Sequence, residues 1–204
     1  VKSQDEIAKF LSFRPEKVDS YEVGYKADLF DRRVYLALAG FYMDYTDVQI
    51  PGSVACNAGG VATFCGVVSN AGKARMQGFE AETRAKLIQS DTGTLTLTGS
   101  VGYIDAKYTK YITNIGNVPT DVAAFRKVQN TPAWSGAVGL DYAMDLMGGT
   151  LTASGGMSFK GKTYQFEVPN PYLDQKAYQL YDASLVYRAE GGRWSLGVFG
   201  KNLT

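Results

Sequence analysis

Apolar and polar side chains alternate with a period of two along most of this chain. In residues 150–163, Leu151, Ala153, Gly155, Met157 and Phe159 share one parity, and Thr152, Ser154, Gly156, Ser158, Lys160 and Lys162 share the other. Residues 177–190 set Tyr181, Ala183, Leu185 and Tyr187 against Asp182, Ser184, Arg188 and Glu190. Residues 73–90 set Phe79, Ala81, Ala85 and Leu87 against Glu80, Glu82, Arg84 and Lys86, and residues 93–107 set Leu95, Leu97, Val101 and Tyr103 against Thr94, Thr96, Thr98 and Ser100. Residues 132–146 set Trp134, Val138, Leu140 and Tyr142 against Ser135 and Asp141. Successive side chains of a strand point to opposite faces, so each run predicts a two-faced strand. Eight are expected, at 17–30, 33–47, 73–90, 93–107, 132–146, 150–163, 177–190 and 193–203. The second is the weak case, because Leu36 and Leu38 fall on the face expected to be polar.

The connections carry as much information as the strands. Asp31-Arg32, Ser90-Asp91-Thr92-Gly93, Met147-Gly148-Gly149 and Gly191-Gly192 are short, and three of the four have turn chemistry. The others, 48–72, 108–131 and 164–176, are long. Short and long links alternate strictly. All tight turns therefore gather at one end of an antiparallel, up-and-down sheet and all long loops at the other.

Such a pattern fits a soluble sandwich or a membrane wall. Three features favour the wall. The strands run to roughly 11–15 residues, against a usual length of about 5–6 in soluble sheets, and a tilted strand needs about 9–11 to cross hydrocarbon. The apolar faces are rich in alanine and glycine, with Tyr21, Tyr45, Tyr103, Trp134, Phe159, Tyr187 and Trp194 near strand ends. Lipid tolerates small side chains, and Tyr and Trp collect at its interfaces. The alternation of short and long links is the pattern of outer-membrane barrels. The fold class expected is all-β: the wall of an up-and-down transmembrane β-barrel with about eight long strands. Closure is expected because unpaired backbone groups cost several kcal/mol each in hydrocarbon. Eight strands can close alone or form an arc of a larger wall.

Composition narrows the function. The chain has 204 residues with 21 basic and 20 acidic side chains, a net charge of +1. This argues against nucleic-acid capture, which needs a basic excess. Histidine is absent. That removes Ser-His and Cys-His catalysis, His-ligated zinc and His general bases, and it counts against an enzyme; no catalytic residue, metal or cofactor is expected. No apolar stretch is long enough for a transmembrane helix.

Specific stretches then resemble a known family. "FRPEKVDSYEVGYKADLFDRRVYLALAGFYMDYTDVQI" resembles the Pro-Glu…Tyr-Glu-x-Gly-x-Lys hairpin of TonB-dependent outer-membrane receptors. "GKARMQGFEAETRAKL" resembles their Gly-Phe-Glu strand, and "VQNTPAWSGAVGLDY" the Asn-x-Pro strand after it. "AYQLYDASLVYRAEGGRWSLGVFGKNLT" resembles the late hairpin that ends in Lys-Asn-Leu-Thr. The resemblance implies a 22-stranded barrel with an N-terminal plug, of which residues 1–204 would be about strands 14 to 21, the plug domain and final strand lying outside. It implies outer-membrane location, contact with outer-membrane lipid, coupling to the TonB complex through the plug, and uptake of a scarce nutrient such as a ferric siderophore, cobalamin or a carbohydrate. A plugless passive porin or small structural barrel, a barrel hydrolase and a soluble β-sandwich binding module are the rival readings.

In that setting a loop-closing Cys56–Cys65 disulfide is expected, with free thiols or a two-cysteine metal site as alternatives. Glu22, Lys26, Asp28, Glu80, Glu82, Arg84 and Lys86 would face the lumen as a solvated, mutually paired wall. Asp44 and Asp47 are a weak calcium pair. Tyr108 and Tyr111 in one long loop, and Tyr164, Phe166 and Tyr172 in another, are the candidate extracellular ligand contacts, with ordinary loop packing as the alternative.

Overall fold

Each long strand pairs antiparallel with its neighbour along the chain. The computed structural model describes residues 12–58, 61–116 and 118–203, and of these the side chains of 52–58 and 62 lie outside the description. The strands are β1 (Lys17–Leu29), β2 (Val34–Ala58), β3 (Val61–Ser90), β4 (Gly93–Ile115), β5 (Val118–Asp121), β6 (Trp134–Leu146), β7 (Gly149–Lys160), β8 (Tyr178–Arg188) and β9 (Ser195–Gly200). Their order in the sheet is β1-β2-β3-β4-β6-β7-β8-β9, with the short β5 folded back on the end of β4. The outer edges of β1 and β9 are unpaired among the described residues, so this stretch is an open wall.

The tight turns follow from local chemistry. Met147 and Gly148 both take positive φ, +51° and +75°. That is the primed turn whose twist matches two flanking strands. In the first hairpin Phe30, Asp31 and Arg32 all have positive φ, and the Arg33 N–H donates to the Phe30 carbonyl at 3.1 Å. This four-residue link places Leu29 opposite Val34, so odd positions of β1 meet even positions of β2.

That register corrects the expectation for the second strand. Leu36 lies between Ala27 and Thr83, and Leu38 between Tyr25 and Ala81. Both leucines are on the apolar face. The polar face of β2 carries Tyr35, Ala37, Ala39 and Phe41 instead, opposite Asp28, Lys26, Gly24 and Glu22. The turn, not the composition of the strand, decided the parity. Elsewhere the faces agree with the alternation except near the end of β3, where a bulge skips Leu87, expected on the apolar face, and sets Ile88 opposite Leu95. One row crosses the sheet as Tyr25, Leu38, Ala81, Val101, Gly136 and Phe159, and its neighbour as Lys26, Ala37, Glu82, Ser100, Ala137 and Ser158.

Two expected loops are also corrected. Most of 48–72 continues the β2–β3 hairpin, and 108–115 continues β4, with β5 pairing back onto it. These segments lack sustained alternation because neither face meets a uniform medium there. Backbone pairing holds the ribbon without it.

The sheet has no conventional core. Among the described residues the buried apolar side chains are Val48, Ile50, Ala74, Ala85, Tyr111 and Val122. All but Ala85 sit in or beside the loop end. Leu95, Leu97, Leu151 and Met157 are not buried, and Val23, Leu140 and Val198 stay 76 %, 45 % and 72 % exposed. A soluble domain of this length would bury about 70 % of its unfolded surface. Here the whole apolar face is left for another medium.

The limits of that medium are marked. Phe79, Tyr103 and Trp134 meet on the apolar face with ring centroids 4.7–5.8 Å apart. Immediately beyond, the same rows turn charged at Asp44, Arg75, Asp105 and Lys107. At the turn end, Tyr187 and Trp194 meet at 5.4 Å. From Leu95 to Tyr103 the strand climbs about 27 Å, roughly 20 Å of depth at the tilt such walls adopt.

Leu97 and Thr98 are adjacent on opposite faces of β4. In the full-length barrel refolded into a bilayer, Leu97→Arg is expected to cost about 2–4 kcal/mol, and Thr98→Arg no more than about 0.5 kcal/mol. Urea unfolding of the two variants measures the difference.

Candidate functional site

Among the described residues the loop end holds most of the buried apolar side chains and a dense set of polar contacts. Beyond Tyr45 the β2–β3 hairpin passes a bulge, with Asp47 at φ +55°. Above Gly72, β3 no longer pairs with β4, so the rest of the hairpin is a two-stranded ribbon. A ribbon of two strands is marginal by itself, and its base is clasped by the segment before β1. Arg14 reaches Asp47 at 2.7 Å, and its backbone N–H donates to the Asn70 side-chain oxygen at 2.7 Å. The Asn70 amide donates in turn to the Arg14 and Asp47 carbonyls at 2.9 and 2.7 Å. Glu16 accepts from the Gln49 N–H at 2.7 Å and from the Tyr45 hydroxyl.

Above the clasp, Val48, Ile50, Ala74, Tyr111 and Val122 form a small apolar cluster, flanked by Tyr45 and Tyr108. β5 brings Asp121 back to β4, where its carboxylate accepts from the Tyr111 and Ala123 N–H groups at 3.0 and 3.1 Å. Those two bonds hold the carboxyl below its ordinary range, with burial opposing and Lys110 assisting. Tyr108 and Tyr111 stack edge to face at 5.0 Å, and the Arg126 guanidinium lies 5.3 Å from the Tyr111 ring centre. Both phenols are pushed up, chiefly by burial and then by the Glu167 carboxylate. Tyr108 reaches about 12, while Arg126 moderates Tyr111.

The remaining loops are knitted together by backbone. Lys127 donates to Glu167 at 2.8 Å, Asn130 to Tyr164 at 2.9 Å, and Thr163 exchanges two bonds with Gln175 at 3.0 Å. Tyr164 has Lys162 and Lys127 ammonium groups 4.6 and 5.8 Å from its ring centre. Lys162 also reaches Asp174 at 3.2 Å, whose side chain is only 3 % exposed.

The candidate residues thus fall into two groups. Tyr108 and Tyr111 touch each other, and Tyr111, at 6 % exposure, is packed into the cluster. Phe166 and Tyr172 are open, at 50 % and 94 % exposure. Tyr164 lies between them, partly covered and flanked by cations. The calcium pair is engaged elsewhere, Asp44 with Tyr42 at 3.0 Å and Arg75 at 3.8 Å, and Asp47 with Arg14. Glu80, Glu82, Arg84 and Lys86 line the polar face, but among the described residues they form no ion pair. They lie on a solvated row, not a paired one. Cys65 is disulfide-bonded and lies opposite Val54, while Cys56 lies opposite Thr63. The Cys56 side chain lies outside the described residues, so the pairing of the two cysteines remains a proposal. Arg14, Glu16, Asp121, Arg126 and Glu167 had no role assigned from sequence. Arg14 and Glu16 do sit in the Arg-Pro-Glu stretch that leads into β1, and this was the one available signal.

The profile of the family described as "TonB dependent receptor-like, beta-barrel" matches residues 8–203. The chain belongs to this TonB-dependent receptor β-barrel family. It is 32 % identical over 127 residues to the metal-pseudopaline receptor CntO of Pseudomonas aeruginosa, a match covering 62 % of this chain and 15 % of that protein. Among solved structures it resembles the ferric yersiniabactin uptake receptor FyuA from Yersinia pestis (TM-score 0.65, 22 % identity) and the siderophore receptor PiuA from Acinetobacter baumannii (TM-score 0.67, 19 % identity). Both likenesses cover 94 % of this chain and 25 % of the other. At these identities they show the fold: an arc of a TonB-dependent receptor wall, about a quarter of such a receptor. The family consists of receptors and transporters, not enzymes.

The raised tyrosines set a pH window. A folded pKa above the unfolded value of 10.0 leaves the Tyr108 packing intact below that pH, and its contribution is lost as pH rises towards about 12. In an ultraviolet titration of the full-length receptor, Tyr108→Phe should remove one phenol that titrates near 12.

Proposed function

We propose that this chain supplies part of the wall and the external loops of a TonB-dependent outer-membrane receptor that imports a chelated metal, most simply a ferric siderophore. Within a 22-stranded barrel it would provide about strands 14 to 21, its open β1 and β9 edges pairing with further strands. The observation that carries the choice of cargo is the likeness to a metal-pseudopaline receptor. It favours a metal chelate over cobalamin or a carbohydrate. The loop chemistry is compatible with such a cargo: open Phe166 and Tyr172 offer apolar grip.

Each face has a task in this reading. The apolar face contacts outer-membrane lipid. The polar face, with a trough of about 560 Å³ lined by Glu82, Arg84, Thr98, Ser100, Ser158 and Asp182, presents a water-bearing wall to the plug and to passing cargo. Loops capture the chelate, and energy delivered by TonB through the plug releases it inward. A Cys56–Cys65 bridge would brace the long ribbon, by about 2–3 kcal/mol at most for so short a loop.

The test is growth of a host stripped of its own siderophore receptors and given the full-length gene. Metal-limited growth should return with a metal chelate as sole source and vanish when TonB is deleted. Phe166→Ala with Tyr172→Ala should raise the chelate concentration for half-maximal growth by roughly tenfold, at unchanged receptor abundance, for two lost aromatic contacts. Rescue without TonB, or rescue by cobalamin or a carbohydrate but by no metal chelate, would contradict the proposal.

A further inference from the structure

Unequal strand lengths open a notch in the wall. β4 continues to Ile115, whereas β6 begins only at Trp134, and the last ladder pair between them is Tyr103 with Trp134. Above that pair lies a cavity of about 390 Å³ lined by Tyr103, Trp134, Asp105, Lys127, Lys162 and Tyr164, among others. Its lower rim is the aromatic belt that ends the apolar band. Its other side is cationic. Asp105 is already neutralised by Lys107 at 2.9 Å, and Lys162 is braced by the buried Asp174 carboxylate. Lys127 is exposed and makes no ion pair among the described residues. The Tyr164 ring lies near both ammonium groups.

We infer that this notch binds the phosphate of a membrane lipid from the leaflet on the loop side, and this rests on reading the apolar face as the lipid-facing one. Tyr and Trp belts lie at headgroup depth. Lysine stems lie along apolar surface while their ammonium groups reach for the polar layer. A cation that lines one cavity with such a belt therefore meets lipid phosphate before any other anion. The bound lipid's acyl chains run down from Trp134 over Phe159, Val138 and Met157, which lie below it on the same face. A soluble phosphate shares the charge recognition but lacks the chains, so the apolar rim distinguishes the two sources.

The experiment is native mass spectrometry of the full-length receptor in uncharged detergent, titrated in parallel with phosphatidic acid, diacylglycerol and inorganic phosphate. Wild type should retain phosphatidic acid, release diacylglycerol, and bind inorganic phosphate far more weakly than the lipid. Lys127→Ala should weaken phosphatidic acid binding about fivefold, the effect of one lysine near a charged lipid surface. Lys162→Met with Asp174→Asn, which leaves no buried carboxylate unpaired, should do the same. Unchanged lipid affinity in both variants would overturn the inference. So would inorganic phosphate binding as tightly as the lipid. Chelate-dependent growth is read separately, so its failure would sink the transport proposal without altering the lipid titration.

Discussion

The backbone ladder does the work that a core does elsewhere. Each of the long strands is held by hydrogen bonds to two neighbours or, at β1 and β9, to one. In hydrocarbon such bonds have no competitor from water, and leaving one unmade costs several kcal/mol. The ladder must therefore be continuous through the membrane. Side chains are then free to serve the media on either side. Alanine, glycine and leucine on one face and threonine, serine and charge on the other are both adequate, because neither face has to pack into a protein interior. The unpaired edges follow the same logic: an open arc in lipid needs further strands to complete it, and family membership supplies the reason to expect them.

The constraint also explains how much of the fold was legible. Where a strand crosses lipid, both faces are dictated at every step, and β6, β7 and β8, with the start of β4, could be placed within a few residues from alternation alone. In β2 the polar face is Tyr35, Ala37, Ala39 and Phe41, so composition could not distinguish the faces. The conformation of Phe30–Arg33 decided the parity, and three consecutive positive φ values there are not written in a sequence pattern. Beyond the aromatic belt the dictating medium disappears. Residues 48–58 and 61–72 pair through their backbone ladder regardless, and read as loop.

The candidate site was less legible for a related reason. Aromatic residues in loops signal either grip or packing, and the deciding quantity is what lies against them. Val122 and Asp121 return through β5 to cover Tyr111, a contact set by a hairpin that alternation does not reveal. Phe166 and Tyr172 have the same chemistry and remain open. The clasp of Arg14 and Glu16 on Asp47, Gln49 and Asn70 joins residues 33 to 56 positions apart, and such polar pairings carry no periodicity at all. What the clasp does is aim the long ribbon. Without it, two strands standing above the membrane would have only their own ladder and the small apolar cluster to set their direction.

Lipid, not protein, covers the apolar face between the two aromatic belts. Spin labels placed singly at positions 94 to 106 along β4 of the full-length receptor in bilayers test it most directly. Relaxation by oxygen, which concentrates in lipid, should dominate at 95, 97 and 101. Relaxation by a water-soluble nickel chelate should dominate at 94, 96, 98 and 100, and should take over at 105 on the apolar row. Equal protection from both reagents at 95, 97 and 101 would mean that protein covers this face, contrary to a lipid-facing wall.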